Sequence, residues 1–196
     1  GAVGYQANLM LATLPQRFIF PGGGEWLLAA DQMWVPVDWH ARIKPLANTK
    51  AAAAGTRQLK RIVSNFAEVD GRIEGASPQL RDAEHSIQEM LADLAANPAD
   101  PELHIGMWFT VAADTLAELE EQCEIVEATF KGDYATGRPT GSQQGLLLSS
   151  MGGTKADKAI TDDYRQHALP STMAMAGMFG LPRLGNRKGI LIGTHA

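Results

Sequence analysis

The sequence predicts an α+β protein in which a mixed β-sheet is covered on one face by an αα-hairpin and a further helix. Residues 35–43 and 103–112 alternate apolar and polar side chains, which is typical of half-buried strands. Between them lie two long stretches with apolar residues at helical spacing, separated by a glycine-containing break. A third helical stretch follows the second strand, so strands and helices alternate along the chain.

Composition places the chain among ordinary globular proteins. Its 196 residues are enough for one substantial core, and 45% hydrophobic residues with 20% charged residues is a globular balance. The formal net charge of -5 argues against binding of duplex nucleic acid, which requires an excess of basic residues. The single cysteine, Cys123, excludes an internal disulfide, and no apolar run reaches the roughly 18–20 residues of a membrane span.

The first strand and the helix after it organise the prediction. Pro45 is expected to end the strand, and Asn48 or Thr49 to cap the helix that opens with KAAAA. The alternation predicts that Trp39 is buried and His40 is exposed. One strand face holds Val35, Val37, Trp39, Ala41 and Ile43, and the other holds Asp38, His40, Arg42 and Lys44.

The two long helices should form an αα-hairpin, with Ser77 and Pro78 starting its second helix. Charged side chains on its outer surfaces usually mark a solvated face, but a hairpin that overhangs its sheet can also serve as a docking arm. The predicted apolar stripes are Leu59, Ile62, Val63, Phe66 and Ile73, and then Leu80, Ala83, Ile87, Leu91 and Leu94. The outer charges are Arg57, Lys60, Arg61, Arg72, Arg81, Asp82, Glu84 and Glu89.

The remaining elements complete the expected sheet. The apolar runs 16–20 and 26–30 flank PGGGE and predict a β-hairpin, and residues 143–150 predict a third strand. Thr115 and Glu118 fit a capping box for the helix after residue 112, on whose apolar stripe Cys123 lies as a packed residue. Because strand–helix–strand units favour parallel neighbours, the sheet is predicted to be mixed.

Residues 1–150 are expected to form the α+β domain, and residues 151–196 a connecting segment. Within that segment, residues 159–168 suggest a short helix ended by Pro170, and residues 190–192 suggest a strand. Residues 171–181 are rich in methionine, which makes adaptable contacts. Two alternatives remain open for residues 171–196. Either they expose apolar surface that the full-length protein covers, or residues 190–192 join the main sheet as an edge strand and the methionines fill its core.

Catalytic signatures do not occur in the sequence. It has no G-x-x-x-x-G-K-[ST] loop, no G-x-S-x-G elbow and no H-x-x-x-H pair. One alternative function is a small enzyme that uses a strand face formed by Asp38, His40 and His104, where a metal or acid–base site is conceivable. Another is a single-stranded nucleic-acid module with stacking aromatics beside basic residues. Its residues would be Trp34, Trp39 and Trp108 with Arg42 and Lys44.

Three segments, taken in order, resemble a known family. They are PVDWHARIKPLANTKAAAAGTRQLKR (36–61), FTVAADTLAELEEQCEIVEATF (109–130), and YRQHALPSTMAMAGMFG with LGNRKGILIGTHA after it (164–196). In that order they resemble the N-terminal region of conjugation and type IV secretion ATPases of the VirB/TrbE/CagE type, in the versions of actinobacterial mobile elements. The resemblance covers nearly the whole chain from Trp34 onward.

The resemblance implies a non-catalytic adaptor domain from a longer protein. The family's P-loop lies downstream of a strand like GILIG, so no catalytic, cofactor-binding or metal-binding residue is assigned to this chain, and the fragment is expected not to be an enzyme. ATP and magnesium would belong to the missing C-terminal ATPase domain. The implied partners are that domain and inner-membrane components of a secretion complex, with self-association as a further option and no direct contact with nucleic acid. The implied location is cytoplasmic, at the inner face of the cell membrane.

Overall fold

The computed structural model describes residues 4–14, 26–69, 78–131 and 134–176. These form a five-stranded sheet in the order β2-β3-β1-β4, with β5 also paired to β3. The second half of β3 pairs with β1 and its beginning pairs with β5, while β2 pairs along residues 102–110 of β3. The strands are β1 Tyr5–Thr13, β2 Asp38–Leu46, β3 Glu102–Ala113, β4 Ala135–Gly137 and β5 Gln166–Ala168.

The α+β class is confirmed, but all four described strand pairings are antiparallel, so the prediction of parallel neighbours is wrong. The reason lies in the connection between β2 and β3, which contains two antiparallel helices. The first helix carries the chain away from the end of β2 and the second brings it back to the same end. Strand β3 therefore starts where β2 finishes and runs in the opposite direction.

Six α-helices are described: α1 Trp26–Gln32, α2 Asn48–Val69, α3 Pro78–Ala96, α4 Leu116–Thr129, α5 Gln143–Ser150 and α6 Pro170–Met175. Thr115 caps α4 as predicted, because its hydroxyl accepts a hydrogen bond from the Glu118 N–H at 3.2 Å. In the part of the chain that the structure describes, no helix is both long and apolar enough to cross a membrane.

One face of the sheet carries the larger core. The predicted apolar face of β3 is confirmed, since Leu103, Ile105, Met107, Phe109 and Val111 all belong to this core. Helix α4 supplies the further helix that was expected on one face. Helices α1 and α6 pack there as well, and buried members from these helices are Leu27, Ala30, Leu119, Cys123, Val126 and Met173.

The opposite face carries a smaller core under α5 and a five-residue π-helix, Ala159–Asp163. Its buried residues are Met10, Trp108, Leu146, Ala159 and Ile160. Arg42 on β2 binds the C-terminal end of α5: its guanidinium donates to the Ser149 carbonyl oxygen at 2.6 Å and to that of Met151 at 3.0 Å. A cation at the C-terminus of a helix donates hydrogen bonds to the free carbonyls and interacts favourably with the helix dipole.

The αα-hairpin packs chiefly on itself, so the expectation that it covers a sheet face is wrong. Ile62 on α2 and Ile87 and Leu94 on α3 are buried, but no described hairpin residue belongs to either core around the sheet. Val63, expected in the buried stripe, is 50% exposed, whereas the side chains of Phe66 and Ile73 lie outside the described residues.

Two segments expected as strands are helices. Residues 26–30, the second half of the expected β-hairpin, belong to α1, and residues 143–150 form α5. The three consecutive leucines of this segment follow neither helical nor strand spacing, so tertiary contacts decide its conformation. The Gln143 side chain accepts from the Asn8 N–H at 2.7 Å and donates to the Asn8 carbonyl at 2.9 Å, which fixes the helix start on β1. Residues 16–20 lie outside the described residues.

Strand β2 starts later and ends later than expected. It begins at Asp38 and continues through Pro45, which pairs with Leu103 of β3. Proline is tolerated at this position because β2 is an edge strand, where one side of the backbone needs no ladder donor. Trp39 packs against the larger core but is only half-buried, and His40 is half-buried too, so the predicted contrast between them is wrong.

Residues 159–176 belong to the same fold as the preceding chain, although they fall in the expected connecting segment 151–196. Residues 166–168, expected in a helix ended by Pro170, form β5, and Pro170 begins α6. Met173 and Ala176 are buried in the larger core, which favours core packing for this part of the methionine-rich stretch. The turn and strand expected at 184–192 lie outside the described residues.

Candidate functional site

Two histidines and a glutamate meet where β5 pairs with the beginning of β3. Glu102 and His104 point to the same face of β3, and His167 of β5 lies directly opposite His104. His167 Nδ1 lies 2.6 Å from Glu102 Oε1, and His104 Nε2 lies 3.7 Å from Glu102 Oε2. The two imidazole rings touch edge to face, with centroids 4.6 Å apart. We call these three residues the Glu-His-His cluster.

Burial and charge differ across the cluster. The side chain of Glu102 is 5% exposed, that of His104 19% and that of His167 46%. Burial by itself raises the pKa of Glu102, but the hydrogen bond from His167 and the charges of His167, His104 and Arg165 outweigh it and leave this pKa below its usual value. Burial and the charge of His167 lower the pKa of His104, which Glu102 only partly offsets. The cluster thus favours an ionised carboxylate beside a neutral His104.

The cluster lines a cleft of about 680 Å³ between the αα-hairpin and this end of the sheet. The hairpin contributes Gly55, Ile87 and Met90 to the cleft wall, and the segment after β5 contributes Leu169. A smaller cavity of about 380 Å³ lies beside His104, between β2 and the π-helix, and includes Lys44. The cluster is therefore open to a ligand from solvent.

The expected site of Asp38, His40 and His104 is not formed. His40 pairs with Trp108 and His104 pairs with Lys44, so the two histidines lie four positions apart along β3, a distance of roughly 13 Å. His40 instead stacks on Trp108, with ring centroids 5.2 Å apart. Burial lowers the pKa of His40, against the opposing effect of the Asp38 charge. The structure thus assigns His104 to a different group of residues.

The stacking surface expected for single-stranded nucleic acid is not assembled either. Trp108 is 1% exposed and cannot stack on a base, and Trp39 packs against the larger core. Trp34, by contrast, is 76% exposed. Arg42, expected to provide positive charge beside these rings, directs its guanidinium to carbonyl groups of the α5 end.

Cys123 is a packed core residue, as predicted. Its side chain is fully buried among the apolar residues between α4 and the sheet. Burial raises the pKa of the thiol, which disfavours the thiolate that a nucleophile requires.

Sequence reasoning missed Glu102 and His167. Glu102 and His104 are two residues apart in a strand and therefore share a face, which is a signal that the strand pattern contained. His167 had no such signal, because its segment was expected to be helical. Only the pairing of β5 with β3 brings His167 to the other two residues.

The chain matches no known family model, and no curated protein matches it. What the fold defines is an α+β protein with a self-packed helical arm and a Glu-His-His cluster at the base of that arm.

Proposed function

We propose that this chain is the non-catalytic N-terminal domain of a conjugative-transfer or type IV secretion ATPase, and that it docks the motor on the inner-membrane secretion complex. The observation that carries the proposal is the αα-hairpin, which extends from the sheet without covering it. A helix pair that packs on itself leaves its outer surfaces available to another protein. The domain would sit at the cytoplasmic face of the membrane as a peripheral part of the complex.

The two helices of the hairpin carry opposite charge, which supports an electrostatic docking role. From residue 48 to residue 64, α2 has four basic and no acidic side chains, and Arg57, Lys60 and Arg61 are exposed. From residue 80 to residue 96, α3 has four acidic side chains and one basic side chain. Such a separation orients a partner and accelerates its encounter more than it adds affinity.

The described parts of the segments that carry the family resemblance are neighbours in space. The first includes β2 and the basic part of α2, the second includes the end of β3 and α4, and the third begins just before β5. Strands β2 and β5 both pair with β3. The described parts of these segments therefore belong to one connected structural unit from which the hairpin extends.

The docking proposal can be tested by site-specific photo-crosslinking in cells that carry the full-length protein and its secretion complex. A photo-reactive residue at Arg57 or Val63 samples the α2 surface, and one at Glu124 samples the exposed side of α4 as the matched control. We expect crosslinks from α2, but not from Glu124, to integral membrane subunits of the complex. Charge reversal at Arg57, Lys60 and Arg61 should weaken membrane association of the protein.

Two outcomes would contradict the proposal. One is membrane association that is unchanged by charge reversal and gives no crosslinks from α2. The other is magnesium-dependent ATP hydrolysis by the purified chain above a contaminant control, since the sequence lacks the lysine loop that neutralises phosphate charge.

A further inference from the structure

The Glu-His-His cluster has the donor set of a transition-metal site. Each residue offers one ligand atom, and these atoms lie within 4.8 Å of one another. Ligand atoms around a tetrahedral zinc ion are separated by about 3.3 Å, as bond lengths of about 2.0–2.1 Å require. The Glu102–His167 distance of 2.6 Å is shorter than this and the Glu102–His104 distance of 3.7 Å is longer, so binding requires the first pair to separate and His104 to approach.

We propose that Glu102, His104 and His167 form a binding site for a divalent transition-metal ion of the zinc class. Two imidazoles and one carboxylate suit zinc in chemistry, and three protein ligands leave a further coordination position for water or another ligand. All three residues line the cleft between the hairpin and the sheet, so this position is reached from solvent. The site is independent of the docking role proposed above.

The charges around the cluster are compatible with a cation. Glu102 is buried, and its oxygens lie 2.6 Å from His167 Nδ1 and 3.7 Å from His104 Nε2, so a bound ion would take the place of the protons between the carboxylate and these imidazoles. The charge of Arg165 acts on both Glu102 and His104, and that of Lys44 acts on His104. The Arg165 guanidinium donates to the Thr161 carbonyl oxygen at 3.1 Å and lies 4.0 Å from the Asp162 carboxylate, which offsets part of its charge.

Metal binding would stabilise the pairing of β5 with the rest of the sheet. Strand β5 has only three residues, and one of them is the ligand His167. The other two ligands lie on β3, the long strand that pairs with β5. A ligand that binds only the folded arrangement stabilises it, so occupancy of the site should stabilise this end of the domain.

The test is a titration of the purified, metal-free chain with Zn²⁺ by calorimetry and with Co²⁺ by visible absorption, which reports coordination geometry. We expect one equivalent to bind and to raise the melting temperature in proportion to the logarithm of free metal. His104→Ala and His167→Ala each remove a ligand atom, and Glu102→Gln replaces the anionic carboxylate with a neutral, weaker amide ligand. Each variant should therefore weaken binding by at least about tenfold. His85→Ala is the matched control, since His85 is exposed and pairs with Glu89 on α3; it should bind like the unaltered chain.

Of the three variants, His167→Ala is the one expected to remain folded, because His167 is the most exposed of the three residues and its removal leaves no buried cavity. Its circular dichroism spectrum should match that of the unaltered chain. The proposal is overturned if no equivalent binds. It is also overturned if the folded His167→Ala variant binds Zn²⁺ with unchanged affinity, or if binding is lost in His85→Ala and retained in the cluster variants.

Discussion

Gly106 determines how closely the smaller core can pack on β3. The π-helix lies directly above it, and a Cβ atom at this position would collide with the Ile160 side chain and come within 2.7 Å of the Ile160 carbonyl oxygen. Because the obstruction includes backbone, a change of side-chain rotamer cannot relieve it. The absent side chain at residue 106 is thus what admits Ile160 to the core beside Trp108.

Gly106→Ala should lower the free energy of unfolding by about 1–3 kcal/mol, the usual cost of overpacking a tight contact. Gly141→Ala is the matched control, since a Cβ there meets nothing within 4 Å. Urea unfolding followed by tryptophan fluorescence measures both. Equal stability of the two variants would show that the π-helix does not rest on Gly106.

His40 should make the fold sensitive to mild acid. Its pKa in the folded state is lowered, mainly by burial, below the ordinary value of 6.5, so the unfolded chain takes up a proton first as pH falls. The free energy of unfolding should therefore decrease from about pH 6.5 toward the folded-state pKa. His40→Gln should reduce this decrease between pH 7.5 and 5.5, whereas His85→Gln, at an exposed site on α3, should retain it. Parallel pH profiles for all three proteins would contradict this assignment.

At the scale of elements, Asn48 closes the base of the αα-hairpin. It was expected to cap α2, but α2 begins at Asn48 itself. Its amide nitrogen instead donates to the carbonyl oxygens of Leu94 at 2.9 Å and of Asn97 and Asp100 at 3.1 Å. The side chain therefore joins the first turn of α2 to the last turn of α3, where carbonyls lack intrahelical partners, and to the loop that follows α3.

Asn48→Ala should cost about 1–3 kcal/mol, because several polar groups lose their partner at once. Thr49→Ala, one residue further along the same helix and exposed, should stay within about 0.5 kcal/mol of the original stability. Hydrogen exchange adds a local measurement: amides of α2 and α3 should lose protection in the Asn48 variant before those of β3. Uniform loss of protection across the chain would indicate that Asn48 does not act on the hairpin in particular.

At the scale of the whole molecule, one fold includes the chain as far as residue 176. Strand β5 joins the sheet and Met173 enters the larger core, beside residues that come from β1, β3 and α4. Even the first helix depends on this region, since the Leu27 N–H donates to the Ala176 carbonyl at 3.2 Å. Residues far apart in sequence are therefore required together for stability.

Met173→Ala should destabilise the whole fold by about 2–5 kcal/mol, as truncation of a buried methionine does. Met151→Ala makes the same chemical change at a side chain that is 52% exposed, and its effect should stay within about 0.5 kcal/mol. Thermal unfolding should remain a single transition for both variants. A second, separate transition in the Met173 variant would show that residues 159–176 unfold as an independent unit.

The sequence by itself determined the α+β class, the buried face and near-complete extent of β3, the cap at Thr115 and the buried position of Cys123. Each depends on a repeat or a local hydrogen bond that neighbouring residues specify completely. Only the tertiary structure decided that residues 143–150 are a helix, that the hairpin stands apart from the sheet, and that His167 meets Glu102 and His104. These features depend on partners more than sixty residues away, such as Asn8 for Gln143 and Glu102 for His167, and a local pattern cannot contain the energy of a contact with a distant residue.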